Sequence, residues 1–512
     1  MSRQKGRRAL ALCAAMLFTL CGCAGAPGGE TSASPTATAA ETVTTKPTKP
    51  TVAPTKKAET ITPALCFDKS DSLSPYEAKT RVNRALAPLL YEGLTRVEAG
   101  YTASLCLAEK IEKTDKTHLT VTLKKGVRFS DKSSLKAADV AASFLLAARS
   151  ESYADLVADV AAVTAKGERT LAVTFASSVP FYEAALSFPV VKTGKDTCVG
   201  TGVYCVNKKK TALSRNPYSD ETAGLETLAL ENISRAEQMQ FALETGTVCI
   251  YGDDLSSGSV PHTVTNVTLT PVTLPYLVYL GFNANREPWS KASIRVSLSE
   301  ALCRTDVAAV GFSGYAVPAA TPFCPALSSL KEVAGAELTA DAAKAVSVWK
   351  KNGYNVSEKG TVKHRLSATL ICQKQNAMHK AAAEEIAKEL RAAGMQVSVK
   401  ALSDGDYRSR LSSGDYDLYL GEVRLPDTLS LDAVLTGAGG AAYGISAGGY
   451  ALWSQYKSGA LSTEKFVAGF MKEMPFVPLC YAQGLTLSSA RLSGVSPRGA
   501  DLYGDTEQWI FT

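Results

Sequence analysis

Histidine is scarce in this 512-residue chain. There are four, His118, His262, His364 and His379, and no two stand at the short spacing a zinc site uses. No Cys-x-x-Cys pair occurs, so a thiolate metal site is not expected either. Gly-x-x-x-x-Gly-Lys-[Ser/Thr] is absent as well. The chain is therefore not an ATP-hydrolysing subunit of the P-loop kind. Beyond the first 22 residues no segment approaches 18 apolar residues, which excludes a helix long enough to cross a bilayer there and predicts a soluble body. An excess of one charge is lacking too. Of the formal +6, four units come from Arg3, Lys5, Arg7 and Arg8, and one from Lys46, Lys49, Lys56 and Lys57 set against Glu30, Glu41 and Glu59. The remainder is close to neutral and carries no electrostatic footprint for nucleic acid.

What is present begins with a tripartite N-terminus. Its basic residues precede an apolar run from Ala9 to Leu20. That run is about a dozen residues, against roughly 20 for a permanent span, so it reads as a signal h-region, with residues 1–22 as signal peptide. Leu20-Cys21-Gly22-Cys23 resembles the bacterial lipobox, which predicts acylation of Cys23 and a protein anchored on the outer, extracytoplasmic face of the cell membrane. Residues 23–60 are Thr-, Pro-, Ala- and Lys-rich and have little to bury, so a disordered stalk is expected. From residue 61 the composition is globular, and some 450 residues exceed what a single core supports, which predicts two lobes. Nine cysteines follow Cys23, an odd number, mostly inside apolar stretches such as Val248-Cys249-Ile250 and Ile371-Cys372. They read as buried thiols rather than disulfides, and hint at an anaerobic host.

Local patterning is clearest in two patches. His118-Leu-Thr-Val-Thr-Leu123 alternates like a half-buried strand, Lys125-Gly126 turns it, and Val127 and Phe129 are expected to continue a partner strand. Lys136 to Ala148 carries Val140, Phe144 and Ala147 at helical spacing. In the second patch, Ser367–Cys372, Met395–Val399 and Tyr416–Leu420 read as strands. They alternate with helices from His379 to Ala393, stopped by Gly394, and from Asp404 to Leu411. That order implies parallel strands with right-handed crossovers and a ligand site beyond Leu420, at the carboxyl ends.

Read in order, these patches resemble the extracellular solute-binding proteins of family 5, the oligopeptide and dipeptide class. The resemblance runs through Asp71-Ser-Leu73-Ser-Pro75, Leu90-Tyr91-Glu92-Gly93-Leu94-Thr95-Arg96, Leu107-Ala108-Glu109, the Leu123–Val140 stretch, Gly200-Thr201-Gly202-Val203-Tyr204, Arg215-Asn216-Pro217, Phe282-Asn283 with Pro288-Trp289, Ile294-Arg295-Val296 and Asp417-Leu418. Each is weak alone; the strength lies in their collinearity. The resemblance implies an α/β fold, two-lobed and periplasmic-binding-protein-like (type II, the large peptide-binding class), with mixed sheets and flanking helices. Lobe I would hold 61–275 plus 482–512 and lobe II 276–481, hinged near Thr273–Leu277 and Pro478–Tyr481. It further implies a lipid-anchored monomer that binds a peptide or other small solute, partnered by ABC permease and ATPase subunits, with no catalysis, metal or cofactor. The implied ligand-binding residues are Ser72, Ser74, Tyr76, Tyr91, Gly200, Thr201, Trp289, Glu422, Arg424 and Asp427. Tyr76 and Trp289 fit interlobe packing equally well.

One departure bears on the ligand. Where the family carries an aspartate for a peptide's α-amino group, this chain reads Leu420-Gly-Glu422-Val-Arg424-Leu-Pro-Asp427. An Arg facing the cleft would repel an ammonium and take a carboxylate or phosphate through its planar fork; the other placement pairs it with Glu422 or Asp427 at the surface. Lys136 and Ser133, where the family has Thr and Gly, concern local stability only. Gly444-Ile-Ser446-Ala-Gly448 matches a nucleophile elbow, but the Gly-rich run before it is a poor strand and no His follows His379, so a hydrolase is set aside. A binding lipoprotein that senses solute without import has the same sequence signature.

Overall fold

The computed structural model describes residues 62–512, apart from 179, 195–197, 263–265, 328–329, 331–337, 357–363, 438–440 and 499–500. The signal, Cys23 and the stalk lie outside the described residues. Two long antiparallel strands, Val267–Phe282 and Phe476–Ser489, form the spine of an 11-stranded sheet. On one side of the spine lie Leu418–Arg424, Ser367–Gln373 and, at the edge, Gln396–Leu402. On the other lie Ile250–Asp253, Ala64–Phe67, Thr227–Asn232, Ala212–Arg215 and Tyr204–Val206, while Ala316–Pro318 pairs with the second spine strand. The spine's register slips between Thr273 and Tyr276. Pro275 stands there and brings no N–H to the ladder. Its carbonyl instead accepts from Leu425 N at 2.7 Å, tying the end of the neighbouring strand to the irregularity.

The strand–helix–strand expectation for 367–424 holds. Ser367–Gln373 pairs in parallel with both Gln396–Leu402 and Leu418–Arg424. Asn376 caps the helix Ala377–Ala392 by accepting from His379 N at 3.0 Å, and Gly394 takes the left-handed φ of +99° that ends it. Between these helices and sheet lies the largest apolar cluster, which includes Leu370, Ile386, Leu390 and Leu418. The last strand runs to Arg424 rather than stopping at Leu420. Its whole length is laddered against the spine, from Leu418 opposite Phe282 to Arg424 opposite Tyr276.

A separate four-stranded antiparallel sheet, in the order Ala108–Lys113, His118–Leu123, Thr170–Phe175, Val160–Ala165, is covered by the helix Ala137–Ala147. Here one expectation is corrected. Val127 and Phe129 do not pair with His118–Leu123, because both edges of that strand are taken by Ala108–Lys113 and Thr170–Phe175. The 127–135 segment instead closes on itself, with Phe129 N to Ser133 O at 2.9 Å and Leu135 N to Val127 O at 3.0 Å, and buries Phe129 fully. The nine cysteines after Cys23 are thiols rather than disulfides, six of them buried. No helix among the described residues is long and apolar enough to cross a membrane.

Candidate ligand cleft

The residues carrying the family-like motifs act mostly as backbone brackets. Asn216 donates to Gly202 O at 2.8 Å, and Gly202 N donates to Leu90 O at 3.0 Å, which holds the Gly200–Gly202 turn against the short helix Ala87–Leu90. A side chain at Gly200 would put Cβ 2.1 Å from Leu90 O, so only glycine permits that approach. Tyr91 Oη donates to Leu73 O at 3.0 Å. Asp417 accepts Thr369 N at 2.9 Å and Asn283 donates to Gly414 O at 2.9 Å, together joining neighbouring strand ends.

These brackets frame a cleft of ≈ 530 Å³. Its walls come from the Ala87–Leu90 helix and the Tyr91–Val97 segment after it, from Tyr101, Tyr153 and Leu156, from Asp220–Thr222, from Arg498, Asp501 and Gly504–Glu507 in the tail, from Arg424 at the end of the Leu418–Arg424 strand and from Asp427 just beyond it. Most of its charges are already paired. Arg96 bonds Glu221 at 2.5 Å with Glu92 at 3.9 Å, and Arg498 pairs with Asp505 and lies 3.9 Å from Glu98. Arg84 donates to Ala78 O at 3.1 Å and Lys79 O at 2.8 Å. Burial raises the carboxyl pKa of Asp501, which accepts Tyr503 N at 3.0 Å.

Arg424 and Asp427 differ. Both line the cleft, and neither side chain makes a hydrogen bond or ion pair with another described residue. Burial pushes the Asp427 carboxyl up, and the Arg424 guanidinium pulls against that shift. Tyr153 sits in the field of both and of Arg84, its phenol pushed up to about 12 chiefly by burial. So Arg424 faces the cleft, and the surface pairing with Glu422 is not made. Glu422 instead meets His379 Nε2 at 3.1 Å.

The other expected site residues scatter. Tyr91 lines the cleft beside Gly93. Tyr76 stands one layer behind, edge-on to Tyr153 at 5.5 Å with its hydroxyl on Pro189 O. Thr201 is buried and lines a smaller side chamber of ≈ 80 Å³ that shares Glu92, Arg96, Asp220 and Glu221 with the cleft. Ser72 bonds Glu77 and caps Ser74 N, and Ser74 is fully buried. Trp289 is fully buried and stacks on Phe282 at 6.4 Å. Ser72, Ser74, Gly200, Trp289 and Glu422 are thus away from the cleft wall. Sequence reasoning missed Arg84, Arg96, Tyr153 and the tail acids. The charged run Arg498, Asp501, Asp505, Glu507 was the available signal for the last.

Two other clusters carry less. Asp306, Glu385 and Glu389 bring carboxylate oxygens within 4.8 Å of one another, away from the cleft, with Lys388 on Glu385 at 2.8 Å. Ser446 does not sit in a nucleophile elbow. It caps the helix Ala447–Lys457 and donates to Glu473 at 2.6 Å, and among the described residues no strand leads into it.

The chain belongs to the bacterial extracellular solute-binding proteins, family 5, whose middle-region profile matches residues 103–457. It is 24% identical over 310 residues to the glutathione-binding protein GsiB of Salmonella choleraesuis (strain SC-B67), a match covering 55% of this chain and 59% of that protein. The match thus spans less than two thirds of that relative. Among solved structures, an ABC transporter substrate-binding protein from Sinorhizobium meliloti superposes with a TM-score of 0.69 at 19% identity, over 88% of this chain and 99% of that one. CtaP from Listeria monocytogenes, also an ABC transporter substrate-binding protein, gives 0.67 at 18% identity, over 88% and 99%. The fold is that of the type II periplasmic binding proteins.

Proposed function

We propose that this chain is the lipid-anchored, extracytoplasmic substrate-binding subunit of a peptide-type ABC importer, and that it captures a peptide or similar solute between two closing lobes. The observation that carries the reading is the cleft itself. Arg424 reaches it from the end of the strand beside the spine and Asp427 from just beyond, with the Tyr91–Val97 segment and the tail among the other walls, and neither side chain has a hydrogen-bond or ion-pair partner among the described residues. A ligand that touches both walls favours the state in which they meet, so its binding energy drives closure. Lobe I would comprise 61–275 plus 482–512 and lobe II 276–481, with the register slip at Thr273–Tyr276 near the hinge. Family membership, the glutathione-binding relative and the ABC substrate-binding structures support the solute-capture role. Permease and ATPase are then separate chains, and Cys23 keeps the binding domain beside them.

The test is a thermal-shift screen of the purified chain against di- to hexapeptides, N-acetylated peptides, nickel chelates and oligosaccharides. A ligand at 100 times its Kd stabilises by about 2.7 kcal/mol, a readable shift. Failure of every peptide to shift melting sinks the peptide assignment. For the anchor, Cys23→Ser should abolish metabolic acyl labelling and release the protein from membranes; continued labelling removes Cys23 from the proposal.

A further inference from the structure

We infer that the Arg424–Asp427 pair recognises an intact α-amino-acid head group, an ammonium and a carboxylate on one carbon, rather than the amino terminus of an ordinary α-linked peptide. The inference rests on the solute-capture reading above and narrows its ligand class.

Arg424 ends the Leu418–Arg424 strand and Asp427 follows three residues on; the two side chains line the same cleft and make no hydrogen bond or ion pair with each other or with any other described residue. The arginines around them, by contrast, are committed, Arg96 to Glu221 and Glu92, Arg498 to Asp505 and Arg84 to two carbonyls, so Arg424 stands apart among the cleft's cations. Closing a cleft over an unpaired charge leaves it desolvated without compensation. A ligand with an ammonium alone would satisfy Asp427 and strand Arg424 in the closed site. One with a carboxylate alone would do the reverse. A single head group carrying both charges satisfies both, the guanidinium fork taking the carboxylate and the Asp427 carboxylate taking the ammonium. Tyr153, beside the pair and backed edge-on by Tyr76, gives the head group a rigid wall.

In an α-linked peptide the terminal α-carboxylate is consumed by the peptide bond. A γ-linked glutamyl peptide keeps both charges on the α-carbon. The cleft is much larger than a head group, so the rest of such a solute has room to extend along it. The isomers γ-Glu-Ala and α-Glu-Ala have the same atoms and net charge and differ in this feature, which makes them the probes.

Calorimetry on the purified chain should give at least about tenfold tighter binding for γ-Glu-Ala than for α-Glu-Ala. Converting the γ isomer's α-carboxylate to a carboxamide, or acetylating its amine, should each cost a similar factor. Arg424→Gln should erase the penalty for the carboxamide while keeping that for acetylation, and Asp427→Asn should do the opposite. The ligand-side changes need no mutant, so a variant that fails to fold leaves the test intact. If α-Glu-Ala binds as well as its isomer, or if each penalty survives in its matching variant, the inference is wrong while solute capture stands. If neither these dipeptides nor any longer peptide binds, the inference and the peptide assignment fall together.

Discussion

Tyr279 and Tyr419 stand edge to face at 5.8 Å across the spine and its neighbour, each covering the glycine that the other's strand presents to it. Tyr279 is registered opposite Gly421, and Tyr419 opposite Gly281. A Cβ at Gly421 would lie 2.5 Å from Tyr279 Cζ, and one at Gly281 2.1 Å from Tyr419 Cε1. The glycines thus admit rings that lock the strand ending in Arg424. Gly421→Ala should force the Tyr279 ring off its site and destabilise by about 1–3 kcal/mol, the usual cost of overpacking. Urea unfolding should show a lower midpoint at unchanged slope. An unaltered midpoint would mean the rings are not fixed there.

Arg295 is 1% exposed, in the helix Ala292–Glu300. Its guanidinium donates to Met474 O at 3.0 Å, Trp289 O at 2.8 Å, Ser290 O at 3.0 Å and Glu473 O at 2.6 Å, with Glu473 Oε1 at 2.8 Å as counter-charge. Arg295→Ala deprives four carbonyls and one carboxylate of their donor. A loss of about 3–5 kcal/mol is expected, as for one partner of a buried pair. Arg295→Lys should recover little, because a point charge cannot reproduce the planar fork. Melting curves of the two variants decide it; a lysine variant near wild type would show that charge alone suffices.

The family and its fold were legible because the residues that carry the resemblance are those that backbone geometry constrains. Gly200 and Gly202 allow close approach, and Asn216, Asn283, Arg295 and Asp417 each bond main-chain atoms of another segment. The site was less legible for the same reason. Ser72, Ser74 and Trp289 belong to such motifs but serve local turns and core. The cleft's Tyr153 and Arg498–Glu507 come from segments without local periodicity, and tertiary folding alone brings them together. Val127–Phe129 failed as a strand because local alternation does not reveal that longer partners occupy both edges of His118–Leu123. Arg424 was found because it stood out against an expected aspartate.

Glu389 offers a pH test away from the cleft. Burial chiefly, helped by the Glu385 and Asp306 carboxylates, pushes its carboxyl up to about 7. Cys303 N, donating at 2.8 Å, and Lys388 oppose the shift. Between the unfolded value of about 4.5 and about 7, the folded protein holds a proton that the unfolded chain has released. This group therefore makes stability fall as pH rises through that window, with no effect below it and a constant cost above it. Glu389→Gln keeps an acceptor for Cys303 N and removes the charge. Its melting temperature relative to wild type should climb from about pH 5 to about pH 8. A difference that stays constant with pH would show that Glu389 titrates normally.

Lys457 closes a contact between the small sheet and the helix Ala447–Lys457. Its Nζ lies 2.8 Å from Asp159 Oδ1 and 2.6 Å from Asp432 Oδ2. Asp432 also accepts Trp453 Nε1 at 2.7 Å, so it serves the interior of its own part of the molecule. Asp159, just before the Val160–Ala165 strand, comes from the other side, and there a Cβ at Gly459 would be 3.2 Å from Ser178 Oγ. If capture works by closure, Asp159 is the half of this bridge that is lost on opening. Asp159→Asn leaves Lys457 on Asp432, so fold stability should change by under about 1 kcal/mol. Ligand should dissociate about 2- to 10-fold faster, because the closed state alone loses the pair. Asp432→Ala should lower the melting temperature as well, since Trp453 loses its acceptor. Stopped-flow release from both variants separates the roles. If Asp159→Asn releases ligand at the wild-type rate, the bridge does not contribute to holding the cleft shut.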